Sequence, residues 1–210
     1  MQQNRNQEAR GFTLIELLIV IAIVTILAVV VVVALNPAEL LRQARDSNRV
    51  SDLATLRSAI ALYLADVVNP NLASSSYGYS SCYLSTYAGN GTASSGCGVF
   101  VTVGQGNGGQ NASFTLANYR KADATGWIPI NFNVISSGAP FGNLPVDPRN
   151  DYLFYYAYAA TTTNLTFEID AKMESSKYGF NNGLGGDVVS NDGGDSTSTY
   201  EVGNAAGLAL

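Results

Sequence analysis

A carboxylate lies inside a long apolar segment near the start of the chain. From Phe12 to Leu35, the polar side chains are those of Thr13, Glu16 and Thr25. A run of about 20 apolar residues can cross a bilayer as a helix, so we predict a membrane span here. A carboxylate at the centre of such a helix costs about 2.5–3.5 kcal/mol and usually has a pairing function. Glu16 lies near the amino-terminal edge, where the cost is lower, and we expect it to have a partner.

The residues around Glu16 resemble a known processing signal. The stretch from Arg10 to Leu17 reads R-G-F-T-L-I-E-L and leads into the apolar segment. It resembles the cleavage and methylation motif of type IV prepilins and of the pseudopilins of type II secretion systems. The resemblance implies that Gly11 is the last leader residue, that a prepilin peptidase cuts after it, and that Phe12 is then methylated. It also implies that Glu16 aligns an incoming subunit by neutralising the Phe12 amine of a neighbour.

Two other kinds of N-terminal segment have an apolar run near the start of the chain. A secretory signal has an apolar core of roughly 7–15 residues followed by a small-x-small cleavage site. Here the apolar run is longer and Asn36-Pro37-Ala38-Glu39 follows it. A plain signal anchor, with Glu16 hydrated near the membrane surface, stays open as the alternative.

The charges that flank the predicted span do not select an orientation. The positive-inside rule counts Lys and Arg on either side of a span. Arg5 and Arg10 precede it, whereas Arg42, Arg45 and Arg49 follow it. The resemblance and the Ser-, Asn- and Gly-rich remainder place the head outside the cytoplasm. We therefore predict a single-pass protein of the cell membrane with an extracytoplasmic head.

Composition excludes several classes of function. The chain has 210 residues and a formal net charge of −5, which argues against electrostatic binding of nucleic acid. It contains no His, so it has no imidazole base, no His-containing triad and no His metal ligand. We predict a structural protein that processing enzymes act on, and not an enzyme.

Four segments are predicted, and together they make an α+β chain. They are a leader over residues 1–11, a transmembrane or filament-core helix over 12–35, an amphipathic stem helix over 36–68 and a globular head over 71–210. We expect a break near Asn36-Pro37, because proline disfavours helical geometry before it. As in the pilin fold that the resemblance implies, the long N-terminal helix is expected to pack on a small antiparallel β-sheet.

The stem helix is predicted from its periodicity. Apolar residues recur at three- and four-residue steps and mark one buried stripe, made of Leu53, Leu56, Ile60, Tyr63 or Leu64, and Val67. Charged residues are expected on the other faces of this helix, where Arg42 can pair with Asp46 and Arg49 with Asp52.

The head is predicted to contain an antiparallel hairpin. Apolar residues alternate with polar ones from Leu165 to Ala171, which is typical of a half-buried strand whose Glu168 and Asp170 point away from the core. The Tyr-rich run Tyr152–Ala159 is its partner, and a short helix is expected over Phe114–Ala124. The preceding L-P-V-D-P segment (144–148) resembles one found before the sheet of major pseudopilins, although an arginine follows it where those proteins commonly have an aromatic residue.

Two further features concern cross-links and ligands. An extracytoplasmic compartment permits a disulfide between Cys82 and Cys97, worth about 3 kcal/mol; free thiols are the alternative. The C-terminal loop offers oxygen ligands of the kind that calcium prefers, and some major pseudopilins bind calcium in such a loop. Asn/Asp-Gly clusters also simply form turns, and this alternative stays open. The candidate calcium ligands are Asp187, Asn191, Asp192 and Asp195.

Together these features predict a subunit of a type IV filament. An inner-membrane assembly platform would assemble it into a helical homo-oligomer, as a pilus for adhesion, motility or DNA uptake or as a secretion pseudopilus. The alternative is a single-span anchored binding protein that does not polymerise.

Overall fold

The computed structural model describes residues 11–72, 82–86, 116–161, 163–180 and 187–205. The chain divides into two compact units, Met1–Leu41 and Arg42–Leu210, and we call the second one the head unit. The predicted α+β fold, with a long N-terminal apolar helix and a small antiparallel sheet, is confirmed.

An apolar helix makes up most of the first unit. Helix α1 spans Leu14–Leu35, and none of its residues is buried within the chain. It is long and apolar enough to cross a membrane. It ends at Asn36, whose φ of 42° is left-handed, as is common where a helix stops. The break was predicted at this position.

The second helix carries the predicted apolar stripe. Helix α2 spans Pro37–Asp66, with proline at the first helical position, where its missing N–H costs nothing. Leu53, Leu56 and Ile60 are fully buried. The helix ends two residues before the predicted limit at Val68.

The head unit contains a four-stranded antiparallel sheet. The strands are β1 (Tyr83–Leu84), β2 (Tyr156–Thr161), β3 (Thr166–Ala171) and β4 (Tyr200–Gly203), in the order β1-β2-β3-β4. The predicted hairpin is the β2–β3 pair. One face of the sheet forms a core with the buried stripe of α2. The sheet residues in this core are Tyr156, Tyr158, Phe167, Ile169 and Val202.

Between β1 and β2, the described residues from 116 onward form turns and one short 3-10 helix, Phe132–Val134. The short helix expected over Phe114–Ala124 is wrong for the described part, residues 116–124, which forms turns. The Phe132 N–H donates to the Ala122 carbonyl at 2.8 Å, and Asp123 forms a β-bridge with Asn131. These bonds bring the two ends of this segment together around Trp127, which is fully buried.

The opposite face of the sheet is buried as well. Leu84, Ala157 and Ala159 lie on it and form a second apolar cluster. Glu168 and Asp170 are each 1% exposed. The expectation that β3 is half-buried, with its carboxylates in solvent, is therefore wrong.

Candidate functional site

The predicted cleavage junction lies outside the helix. Helix α1 begins at Leu14, and Thr13 before it has extended backbone, with φ −77° and ψ 150°. Phe12 is 84% exposed. A Cβ placed on Gly11 would have no atom within 4 Å. The Gly11–Phe12 bond is therefore open to an enzyme, and the fold of the chain itself does not require glycine there.

Glu16 takes part in a capping box at the start of α1. The Thr13 N–H and the Thr13 hydroxyl both donate to Glu16 Oε2, at 2.9 and 2.8 Å. The Glu16 N–H donates back to Thr13 Oγ1 at 3.3 Å. A capping box satisfies N–H groups that the first helical turn leaves without partners. We did not predict this role, although the T-x-x-E spacing before an apolar run is its known signal.

The third polar residue of the span is satisfied within its own helix. The Thr25 hydroxyl lies 2.9 Å from the carbonyl of Ile21 and 2.8 Å from that of Ala22. A hydroxyl bonded to the preceding turn hides its polarity from an apolar environment. Glu16 thus remains the charged group of the segment.

A buried ion cluster joins α2 to the rest of the head unit. Arg49 is fully buried and binds Asp147 through two bonds, at 2.6 and 2.9 Å. It also contacts Asp46 and Glu174, both at 2.6 Å. The predicted surface location of Arg49 is therefore wrong, because Asp147 and Glu174, which are distant in the sequence, pack over it.

The predicted Arg49–Asp52 pair on α2 is likewise replaced, and Asp46 has further partners outside the helix. Asp46 accepts hydrogen bonds from the N–H groups of Glu174 and Ser175, at 2.9 and 2.7 Å. Asp52 accepts one from the Tyr156 hydroxyl at 2.8 Å, instead of pairing with Arg49. Asp46 and Asp52 on α2 thus bind the segment after β3 and strand β2, in addition to the local Arg49–Asp46 pair.

The L-P-V-D-P segment supplies one of these partners. Its Asp147 also accepts a bond from the Arg149 N–H at 2.8 Å. The Pro145 carbonyl accepts a bond from the Trp127 indole at 2.9 Å. Arg149 lies 4.3 Å from the ring centroid of Phe154. The segment precedes strand β2 and is bound to α2 through Asp147. Arg149, which follows the segment, packs on the ring of Phe154.

Acidification is expected to destabilise the head unit because Glu174 loses its charge. Burial acts to raise the pKa of Glu174, but bonds from Arg45 and Arg49 outweigh it and hold that pKa at about 2, against an ordinary value of 4.5. A lowered pKa contributes stability that is present above pH 4.5 and is lost as pH falls towards 2. Melting temperatures followed by Trp127 fluorescence should fall across this range, and less steeply in Glu174→Gln. Equal slopes in both proteins would contradict the assignment.

The predicted disulfide is only half within the described residues. Cys82 is fully buried and is not a free thiol. Cys97 lies outside the described residues. The Cys82–Cys97 bridge stays a prediction.

The predicted calcium loop uses its carboxylates in turns. Asp187 accepts bonds from the N–H and hydroxyl of Ser190, at 2.5 and 3.1 Å. Asn191 donates to the Asp187 carbonyl at 2.7 Å. Asp192 accepts bonds from the N–H groups of Gly194 and Glu201, at 2.9 and 3.0 Å, whereas Asp195 is exposed. Arg57 lines the same cavity as Asp187, Asn191, Asp192 and Glu201. Calcium binding by this loop stays a prediction.

The comparisons bear on the N-terminal segment. Residues 7–32 match the prokaryotic N-terminal methylation motif, a range that includes Gly11, Phe12 and Glu16. No curated protein and no solved structure matches the chain. The matched motif is the hallmark of the prepilin-type signal found in type IV pilins and pseudopilins, and among the described residues α1 is the one helix long and apolar enough to cross a membrane.

Proposed function

We propose that this chain is the structural subunit of a type IV filament. The observation that carries the proposal is α1, a helix that is apolar on all sides and has no buried residue in its own chain. A helix that is hydrophobic all round is stable in a membrane or among other apolar helices. Before leader removal, α1 would lie in lipid. After leader removal, it would move into a bundle of identical helices, which is also an apolar environment.

The charges at the start of α1 would set the position of each subunit. Cleavage after Gly11 creates an amine at Phe12, which keeps its positive charge when methylated. Glu16 lies four positions further on and carries a negative charge. At 4 Å and an effective dielectric constant of about 20, such a pair attracts by about 4 kcal/mol. Pairing of the Phe12 amine with Glu16 of a neighbour defines how far one subunit rises above the next.

The capping box would stabilise the Glu16 carboxylate before a neighbouring subunit binds it. In the separate chain, Thr13 donates two hydrogen bonds to the carboxylate. These bonds reduce the cost of holding a charge at the membrane edge, since burying a polar group is costly mainly when it lacks hydrogen bonds. The neighbour's amine then adds a charged contact to a group that is already ordered.

The proposed assembly has a defined location. The chain would first lie in the cell membrane with the head unit outside the cytoplasm, bound to an inner-membrane assembly platform. The filament would be a surface pilus or a short secretion pseudopilus. The L-P-V-D-P segment resembles one found in major pseudopilins. This resemblance supports the pseudopilus, which is the second placement to test.

Substitution of Gly11 tests the processing step. We expect co-expression with a prepilin peptidase to release the leader, and mass spectrometry to find N-methylated Phe12 as the first residue. Gly11→Val should stay uncleaved, because the enzyme meets a side chain at the junction while the chain has room for it. Gln3→Val, in the leader but away from the junction, is the matched control and should be cleaved. Normal processing of Gly11→Val would show that the junction is wrongly placed.

Electron microscopy of the processed protein tests polymerisation. We expect filaments from cells that contain the peptidase and the assembly platform, and none without the peptidase. A correctly cleaved chain that stays monomeric under these conditions would favour the anchored binding protein over the filament subunit.

A further inference from the structure

Three carboxylates meet on the buried face of the sheet that lies away from α2. Glu168 and Asp170 are two residues apart on β3, and Asp170 lies opposite Glu201 on β4. Side chains two residues apart on a strand share a face, and so do cross-strand partners. One oxygen from each of the three carboxylates lies within 4.8 Å of the others. Each residue is 1% exposed.

Two of these carboxylates, those of Asp170 and Glu201, have oxygens that lack the partners buried charges usually have. Both oxygens of Asp170 and Oε1 of Glu201 accept no hydrogen bond from the residues that the structure describes. Glu201 Oε2 accepts one from the Ser196 N–H at 3.0 Å. A buried charge without a partner costs several kcal/mol, so such groups bind a proton, an opposite charge or a metal ion.

The surroundings of the cluster are acidic. Burial, followed by the charges of Glu168 and Glu201, raises the pKa of Asp170 well above its ordinary value, and Asp192 adds to the effect. Burial also raises the pKa of Glu201 to about 7, with Asp192 and Asp195 contributing. A cation bound among these three carboxylates would offset their mutual repulsion.

We propose that Glu168, Asp170 and Glu201 form a binding site for a divalent cation, and that calcium is the ion it favours. Calcium binds six to eight oxygens at about 2.3–2.6 Å, so ligands on opposite sides of the ion lie up to about 5 Å apart. Three carboxylates, each able to bind through both oxygens, supply most of such a shell. Magnesium requires a tighter octahedron at about 2.0–2.1 Å and keeps its waters, which suits a dry pocket poorly.

The site would join the C-terminal loop to the sheet. A Cβ added to Gly194 would overlap the Glu201 carboxylate, so the loop backbone passes directly over the cluster. The Glu201 N–H donates to Asp192 Oδ2 at 3.0 Å, which holds the two segments together from the other side. This site differs from the loop site predicted above, since its three carboxylates lie on β3 and β4.

Thermal unfolding of the full chain in detergent tests the proposal. Trp127 is the single tryptophan and is fully buried in the head unit, so its fluorescence reports unfolding there. We expect saturating calcium to raise the melting temperature by about 5 °C over the chelator-treated protein, because a ligand that binds only the folded state stabilises it. Magnesium at the same concentration should raise it much less.

Asp170→Asn separates the cation from a purely structural effect. The variant keeps the shape of the side chain but removes one negative charge. In chelator it should melt above the wild type, because repulsion within the cluster falls, and calcium should no longer shift its melting temperature. Asp66→Asn makes the same change at an exposed carboxylate that bonds Ser136, and it should keep the calcium shift.

Calorimetric titration with calcium chloride completes the test. We expect one calcium per wild-type chain and an affinity at least about tenfold weaker in Asp170→Asn. Loss of the shift in Asp195→Asn but not in Asp170→Asn would move the site to the loop and overturn the proposal. The proposal would also be overturned if the melting temperature of the wild type did not change with calcium or chelator but rose on acidification. Protons would then occupy the cluster.

Discussion

Glu16→Val is expected to abolish filament formation while membrane insertion and leader cleavage continue. Valine makes the span more apolar, so insertion should not suffer. The Gly11–Phe12 junction lies outside α1, and Glu16 lies beyond it in the helix. The variant loses the carboxylate that we propose to pair with a neighbour's Phe12 amine. Filaments counted by electron microscopy and N-termini identified by mass spectrometry would measure the two effects separately.

Thr13→Ala is the control that separates pairing between subunits from capping within one. It removes the hydroxyl that donates to Glu16 and accepts from the Glu16 N–H, but it retains the charge. Loss of an N-terminal cap costs about 0.5–2 kcal/mol of helix stability, which a membrane helix tolerates. We expect Thr13→Ala to assemble. Equal loss of filaments in both variants would mean that Glu16 acts through the cap, and wild-type yield from Glu16→Val alone would refute the pairing.

Arg49→Met is expected to lower the free energy of unfolding of the head unit by about 3–5 kcal/mol. Arg49 is fully buried among Asp46, Asp147 and Glu174. Removing one member of a buried ion cluster leaves the others charged and unpaired, which is the costly case. Methionine fills similar volume, so the loss reports electrostatics more than a cavity. Urea unfolding followed by Trp127 fluorescence measures it.

Arg45→Met is the matched control for this prediction. Arg45 binds the same Glu174 at 2.7 Å, but 32% of its side chain is exposed. Partly exposed ion pairs contribute about 0–1 kcal/mol, so we expect a loss in that range. Equal losses in the two variants would show that burial does not set the importance of Arg49.

The ion cluster also explains the arginines that follow the span. Counted by sequence, Arg45 and Arg49 oppose the orientation with the N-terminus inside. In the folded head unit they bind Glu174 and, for Arg49, Asp46 and Asp147. These arginines therefore have a structural reason to follow the span. We expect that they do not keep this side of the span in the cytoplasm.

Local chemistry made the first unit predictable from sequence. Apolar composition determines that α1 is a helix able to span a membrane, because backbone polar groups must be satisfied internally there. The break at Asn36 follows from Asn-Pro at that position. The capping box of Thr13 and Glu16 is equally local, because the T-x-x-E spacing before an apolar run indicates it.

Periodicity determined which side chains of the head share a face, but tertiary structure decided what each face meets. Alternation from Leu165 to Ala171 correctly grouped Phe167 with Ile169 and Glu168 with Asp170. It could not indicate that the acidic face is buried too, because burial there depends on residues distant in the chain. Arg49 and its partner Asp147 illustrate the same limit, since they are 98 residues apart. A pattern within a segment records the period of its own backbone, whereas the partners of a charge depend on how separate segments pack.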